Sequence, residues 1–212
     1  MTHLATVLTT GLLLLYFYLR DNNREPWQRL IEAFGLGVAL SLQVSFLQRA
    51  LPDMCIFLTA FVAAAVIEEG VKLIVLKLTL FRSPDFTQKI DAVTYAVFLG
   101  LGFATVENIT HVSMWEIGLV RAFTATPAHA LFGVSMGFWL GMYKFRHKPW
   151  MLVIAMVVPT LLHGAYNYLI MVDALWGLMI FVPYVILLWI KAVVKTDKLR
   201  RKVNVYDQVD QE

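Results

Sequence analysis

The chain has 212 residues, of which 59% are hydrophobic and 16% charged, with a formal net charge of +3. A soluble domain is nearer half apolar and a quarter charged, so this composition favours a membrane protein. The single cysteine, Cys55, excludes an intramolecular disulfide. No nucleotide-binding glycine loop is present, and we expect no nucleic-acid partner.

In chain order, seven apolar segments are long enough to cross a hydrocarbon core of about 30 Å as helices. Helices are expected because lipid leaves no water to satisfy open backbone groups. The segments are 4–19, 30–46, 56–76, 92–109, 122–143, 151–171 and 175–194. The predicted fold is therefore an all-α, polytopic membrane protein, with residues 1–194 as a single transmembrane domain and 195–212 as a charged tail.

The basic residues predict the orientation. The first segment lacks a basic start and is interpreted as a retained helix, because Arg20 follows the apolar run. Of the 18 Lys and Arg residues, only Arg49 and Arg121 fall in the loops after even-numbered segments, and Lys72 falls within a segment. Basic loops remain cytoplasmic. This pattern predicts an N-terminus outside and a cytoplasmic C-terminus and tail.

The third segment reads V-I-E-E-G-V-K-L-I and places charges where the bilayer is least tolerant of them. Glu68 and Lys72 are four residues apart on one helical face, so a structural ion pair between them is available. Glu69 points about 100° away and should face another neighbour. A structural pair explains Glu68 and Lys72, but it leaves Glu69 without a role.

The fourth and fifth segments add a carboxylate and an imidazole. Glu107 lies late in its span, where the alternative is an interfacial carboxylate that reaches water. His129 shares one helical face with glycines that permit close packing, and a hydrogen-bonded core histidine is its alternative role. Those glycines, Gly133, Gly137 and Gly141, favour packing within the chain over a dimer.

The sixth segment contains His163 and Asn167 on one face, for which an interhelical hydrogen-bonding pair is the alternative. At about 1.5 Å per residue, Glu68 and Glu69 lie near the middle of the membrane and the other polar groups lie in its outer half. Four separate segments thus place polar groups in overlapping layers. We expect one shared site that opens toward the outer face.

Such a group can hydrolyse a substrate in two ways. A carboxylate removed from bulk water is a stronger general base that can activate water, while His or Asn donors stabilise an oxyanion. Alternatively, zinc held by His129, His163 and Glu107 can activate the water. Nucleophilic catalysis by Cys55 is not favoured, because this residue lies at the edge of a span.

These segments resemble the PrsW family of bacterial intramembrane proteases, which is related to the CAAX prenyl proteases. Besides E-E-G-V-K at 68–72, the matching segments are F-Y-L-R-D-N-N-R-E-P at 17–26, L-G-F-A-T-V-E-N at 101–108, P-A-H-A-L-F-G-V-S-M-G-F at 127–138 and V-V-P-T-L-L-H-G-A-Y-N at 157–167. They occur in the family's order.

The resemblance implies regulated proteolysis of single-pass membrane proteins, anti-sigma factors among them, in a bacterial or archaeal plasma membrane. Where the family's last motif often ends in an acid, this chain has Asn167, which fits an amide donor better than an anionic ligand. Lys72 is expected to support the carboxylates. The catalytic residues that the resemblance implies are Glu68, Glu69, Glu107, His129 and His163, with Asn167 beside them.

Two other functions are compatible with the same residues. Seven-helix zinc enzymes that hydrolyse lipid amides also bury His and acidic residues, and proton- or cation-coupled transporters relay protons through intramembrane Glu and His. A transporter would often contain inverted repeats or matched broken helices, and the sequence shows neither. Contacts with membrane lipids are expected in every case. The sequence does not specify the substrate or the oligomeric state.

Overall fold

The computed structural model describes residues 2–20, 24–110 and 115–172, leaving aside the side chains of 115–120, together with single positions between 180 and 197. All regular structure in this part of the chain is helical, so the all-α prediction is confirmed. The long helices are α1 (Thr2–Arg20), α2 (Trp27–Arg49), α5 (Lys89–Thr110), α6 (Trp115–Arg146) and α7 (Pro149–Met171).

The predicted span 56–76 forms as three consecutive helical pieces. A single turn, α3 (Ile56–Leu58), leads into a π-helical segment (Thr59–Val66), which continues as α4 (Ile67–Leu78). A short 3₁₀ turn (Leu80–Arg82) follows. The wider π-helical winding changes the direction of every later side chain, so it sets where Glu68 and Glu69 point.

Helix α5 is the centre of the bundle and is buried along most of its length. Glycines allow its neighbours to reach its backbone. A Cβ added to Gly37 of α2 would lie 2.0 Å from the Leu99 carbonyl oxygen, and one added to Gly137 of α6 would lie 2.4 Å from that of Ala92. Cβ atoms added to Gly133 and Gly141 would lie 2.7 and 2.4 Å from carbonyl oxygens of α5. The prediction that this stripe packs within the chain is confirmed.

Four helices in the described part are long and apolar enough to cross a membrane, namely α1, α2, α5 and α7. Each of these is two to three residues longer than predicted at one end or both. The predicted segment 122–143 lies within α6, which starts earlier and contains Arg121. The last predicted span, 175–194, lies largely outside the described residues, as does the tail.

Candidate active site

The carboxylate of Glu69 accepts from two basic side chains in the interior of the bundle. Its Oε1 atom lies 2.8 Å from Lys72 Nζ and 2.9 Å from His163 Nδ1. The three side chains are at most 4% exposed. The ion pair of Lys72 with Glu68 is present at 3.8 Å, and Lys72 Nζ lies closer still to Glu69, at 2.8 Å. Spacings of three and four residues both bring side chains together on a helix, and the neighbouring histidine on α7 favours Glu69.

Lys72 extends this contact to the histidine of α6. Its Nζ lies 3.2 Å from His129 Nδ1 and over the Phe103 ring, 4.0 Å from the centroid. An ammonium group can only donate, so His129 Nδ1 accepts. His129 Nε2 then carries the hydrogen and lies 2.8 Å from Glu107 Oε2. The network therefore fixes His129 as the neutral tautomer with its hydrogen on Nε2.

Glu107 ends the network at an arginine that the sequence placed in a loop. Arg121 lies inside α6, and its Nη2 donates to Glu107 Oε1 at 2.6 Å. Its Nε donates to Asn108 Oδ1 at 3.3 Å, and Asn108 Nδ2 donates to Thr126 Oγ1 at 2.8 Å. Glu107 is therefore paired with a cation within the protein, and its side chain is partly exposed.

Glu68 is held differently from the other two carboxylates. Its Oε1 atom accepts from Gln48 Nε2 of α2 at 3.0 Å. Its Oε2 atom is buried and makes no hydrogen bond within the described structure, since the nearest basic groups, Lys72 Nζ and His163 Nε2, both lie 3.8 Å away. A buried polar oxygen without a partner is costly and needs a reason. For Glu68 Oε2, that reason is the position of Glu68 beside a cavity.

This cavity of about 350 Å³ lies at the end of the bundle where α2 finishes and α3 begins. Glu68 and Glu107 contribute its acidic wall, while Arg121 and Asn167 contribute donors. Asn167 is half-buried and lies one turn after His163 on α7. The rest of the lining consists of Gln48, the loop 51–54, Thr59, Ala63, Ala64 and Met171.

The structure thus brings together all the residues that the sequence placed in one site. Glu68, Glu69, Lys72, Glu107, His129 and His163 form one contact network, and Asn167 lines the cavity beside it. Phe132 stacks on the His163 ring at 4.9 Å and closes the network on the side of α6. The two histidine rings are 5.0 Å apart.

The charges of this network do not balance when all its carboxylates are ionised. Glu68, Glu69 and Glu107 face two fixed cations, Lys72 and Arg121. An uncompensated charge in a buried site is costly. Glu68 is the carboxylate with the weakest partners, so it is where an additional proton or metal cation would bind.

The donor set fits a metal ion at Glu68. One carboxylate oxygen of Glu68 and one ring nitrogen each of His129 and His163 lie within 4.8 Å of one another. His163 Nδ1 donates to Glu69, which leaves the Nε2 lone pair directed toward Glu68, as in the carboxylate–histidine–zinc arrangement. His129 is available only if it gives up Lys72 or Glu107. Histidine nitrogens and a carboxylate are ligands that zinc accepts.

Residues 25–191 match the family described as PrsW family intramembrane metalloprotease. The chain belongs to the PrsW family. It is 33% identical to Protease PrsW of Clostridioides difficile strain 630 over 89% of this chain and 86% of that one. It is 35% identical to Protease PrsW of Oceanobacillus iheyensis over 89% of this chain and 94% of that one. It is 33% identical to Protease PrsW of Bacillus subtilis strain 168 over 89% of this chain and 90% of that one. No solved structure matches the chain.

Membership of the PrsW family makes the chain an intramembrane protease and a multi-pass protein of bacterial membranes. The resemblance to the PrsW family is confirmed. Sequence reasoning missed Gln48 and Arg121 because each falls just beyond a predicted span. Both residues could have been found as polar side chains within one turn of an end of an apolar run, since such a residue can still face the bundle.

Proposed function

We propose that this PrsW-family protease hydrolyses a peptide bond of a single-pass membrane protein by means of water activated at Glu68. The observation that supports this role is the Oε2 atom of Glu68, which is buried, without a hydrogen bond, and part of a residue that borders the cavity. Glu69 and Glu107 each accept from basic groups through short contacts and are less available as bases. They orient the histidines.

In the proposed reaction, Glu68 accepts a proton from water as the water oxygen bonds to the scissile carbonyl carbon. The electron pair of the carbonyl moves to its oxygen. Asn167, whose amide can donate into the same cavity, stabilises that oxyanion. Glu68 then returns the proton to the leaving nitrogen as the C–N bond breaks, which yields a carboxylic acid and an amine.

We do not assign His163 the role of an oxyanion donor that the sequence offered for the histidines. Because Nδ1 donates to Glu69, the neutral ring has no hydrogen on Nε2 with which to polarise a carbonyl. Its Nε2 lone pair instead accepts from the water or binds a metal ion. Zinc, when bound by Glu68 and His163, would make its water more acidic and polarise the scissile carbonyl.

The proposed topology places the site near the outer surface. Seven spans with the N-terminus outside and the C-terminus cytoplasmic put the cavity at the end of the bundle opposite the loop after α1, which contains Arg24. Cleavage would then occur near the outer end of the substrate's span. An anti-sigma factor with a single span is one such substrate.

The test is a comparison of membrane-protein N-termini in cells that carry the wild type, Glu68→Gln or Glu32→Gln. Glu32 is a matched control, because it is a half-exposed carboxylate on α2 that pairs with Arg29 far from the cavity. We expect new N-termini at the outer ends of single-pass proteins, lost in Glu68→Gln and kept in Glu32→Gln. Identical N-termini in all three strains, with equal expression, would overturn the assignment, and altered lipid amides would indicate a lipid hydrolase.

The metal is tested separately on purified protein. About one zinc per chain that is lost in His163→Ala would support the zinc-assisted reaction. Full cleavage by protein from which all metal has been removed would exclude it and leave Glu68 acting on water alone.

A further inference from the structure

Gln48 is the described side chain that hydrogen-bonds to Glu68. It lies one residue before the end of α2, within the family match over 25–191 but outside the five motif segments. Its Nε2 atom is 3.0 Å from Glu68 Oε1 and 3.0 Å from the carbonyl oxygen of Ala63. Gln48 is half-buried, and it also borders the cavity.

The two contacts account for both hydrogens of the side-chain amide. The bond to Ala63 fastens Gln48 to the π-helical segment, whose backbone leads directly into α4 and Glu68. The hydrogen bond to Glu68 then holds one carboxylate oxygen against Gln48, whose side chain is fixed by the Ala63 carbonyl and not by Glu68. A glutamate side chain has several rotamers, and a fixed donor at one oxygen selects among them.

We propose that Gln48 is a positioning residue for hydrolysis. It holds Glu68 Oε1, so that Oε2 is presented toward His163 and the water. This inference rests on the proposed role of Glu68 as the base. It differs from that role because Gln48 neither exchanges a proton nor contacts the reacting atoms. A misplacement of about 1 Å at a catalytic group can lower a rate by about 100-fold.

The test uses Gln48→Met, which preserves the approximate volume and removes both donors, in the full chain reconstituted in lipid vesicles. Gln43→Met is the matched control, because Gln43 lies on the same helix and is exposed. The probe is a reporter fused to the outer end of the single-pass protein identified by its new N-terminus. We expect Gln48→Met to lower kcat about 10- to 100-fold with KM within about twofold, and Gln43→Met to change neither.

Thermal unfolding separates positioning from a merely structural role. Loss of the two hydrogen bonds, at about 1 kcal/mol each, should lower Tm by about 4–8 °C, so kcat is measured well below the lowered Tm and per folded molecule. An unchanged kcat for folded Gln48→Met would overturn the proposal. So would an equal loss of kcat in Gln43→Met.

A failure of the proposed function gives a different pattern. If the wild type cleaves no single-pass protein, the contact itself is tested by a double-mutant cycle of Gln48→Met and Glu68→Ala on Tm. A smaller Tm loss from Gln48→Met in the Glu68→Ala background would support the coupling. Additive losses would show that Gln48 does not hold Glu68, and the proposal would be wrong.

Discussion

The two ends of α5 both contain buried polar side chains, but they use them in different ways. At the start of the helix, Asp91 Oδ2 accepts from the backbone N–H groups of Thr87 and Gln88 at 2.8 and 2.6 Å. Four residues later, the Tyr95 hydroxyl donates to Glu25 in the loop between α1 and α2. These contacts join a loop and a helix start to the bundle.

At the other end of α5, Glu107 takes part in contacts between side chains of four helices, around a cavity. The network there contains a carboxylate oxygen without a hydrogen bond, at Glu68, and a histidine nitrogen whose lone pair faces it. The contacts of Asp91 and Tyr95 tie a loop and a helix start to the bundle, whereas a carboxylate oxygen without a hydrogen bond on a residue that borders a cavity is available to a substrate or water. The end of α5 that contains Glu107 therefore belongs to the candidate active site, and the end that contains Asp91 and Tyr95 stabilises the fold.

The substitution expected to separate the two ends most sharply is Glu68→Gln. It keeps the shape of the side chain and its contact with Gln48, but it removes the base. We expect cleavage of the reporter fusion to fall by about 100- to 10,000-fold, the usual contribution of a general base, with little change in Tm. Undiminished cleavage by Glu68→Gln would transfer the role of base to Glu69 or Glu107.

Lys72→Met should have the largest effect on stability. Lys72 neutralises Glu69 and donates to His129, and removing one partner of a buried pair costs about 3–5 kcal/mol. The expected result is a strongly lowered Tm in detergent. The double variant Lys72→Met/Glu69→Gln should recover most of the loss, because no unpaired charge remains. If the single variant were as stable as the wild type, Glu69 would not be ionised in the folded protein.

The positions of the helices could be predicted from the sequence, because long apolar runs in lipid have helices as their stable form. The predicted span 92–109 became Lys89–Thr110, and 151–171 became Pro149–Met171. The π-helical winding of Thr59–Val66 could not be predicted in the same way. Its sequence, T-A-F-V-A-A-A-V, satisfies either helical winding, and tertiary packing decides between them.

Membership of the site could also be predicted, because polar residues in apolar segments are costly unless they meet in the interior. The contacts between these residues could not be predicted. Lys72 was equally placed for Glu68 and Glu69 by helical spacing, and the choice depends on His163, which comes from a distant part of the chain. The sequence also offered Glu107 as a ligand beside the two histidines, whereas the structure places Glu68 in that group.

Tyr95→Phe tests the architectural end of α5. The change removes the hydroxyl that donates to Glu25 and should lower stability by about 1–3 kcal/mol, because a buried hydrogen bond to a carboxylate is lost. Cleavage per folded molecule should be unchanged. Tyr143→Phe is the control, since the Tyr143 ring stacks on Phe81 and this contact does not need a hydroxyl. A loss of cleavage in folded Tyr95→Phe would show that the two ends of α5 are coupled.

The smallest effect is expected at the ion pair between Arg29 and Asp85, outside the buried clusters. The hydrogen bond from Arg29 Nε, at 2.8 Å, lowers the pKa of Asp85, and the Ser83 hydroxyl adds a second donor. A lowered pKa in the folded state means that the pair stabilises the protein above the pKa of the unfolded chain, about 3.9. This contribution is lost as the pH falls through the lower pKa of the folded protein.

Asp85→Asn should therefore reduce Tm slightly at pH 7 and not at pH 2. The reduction at pH 7 should be smaller in high salt, because exposed ion pairs are weak and screened. Equal Tm differences between Asp85→Asn and wild type at both pH values would show that the charge of Asp85 does not stabilise this end of the bundle.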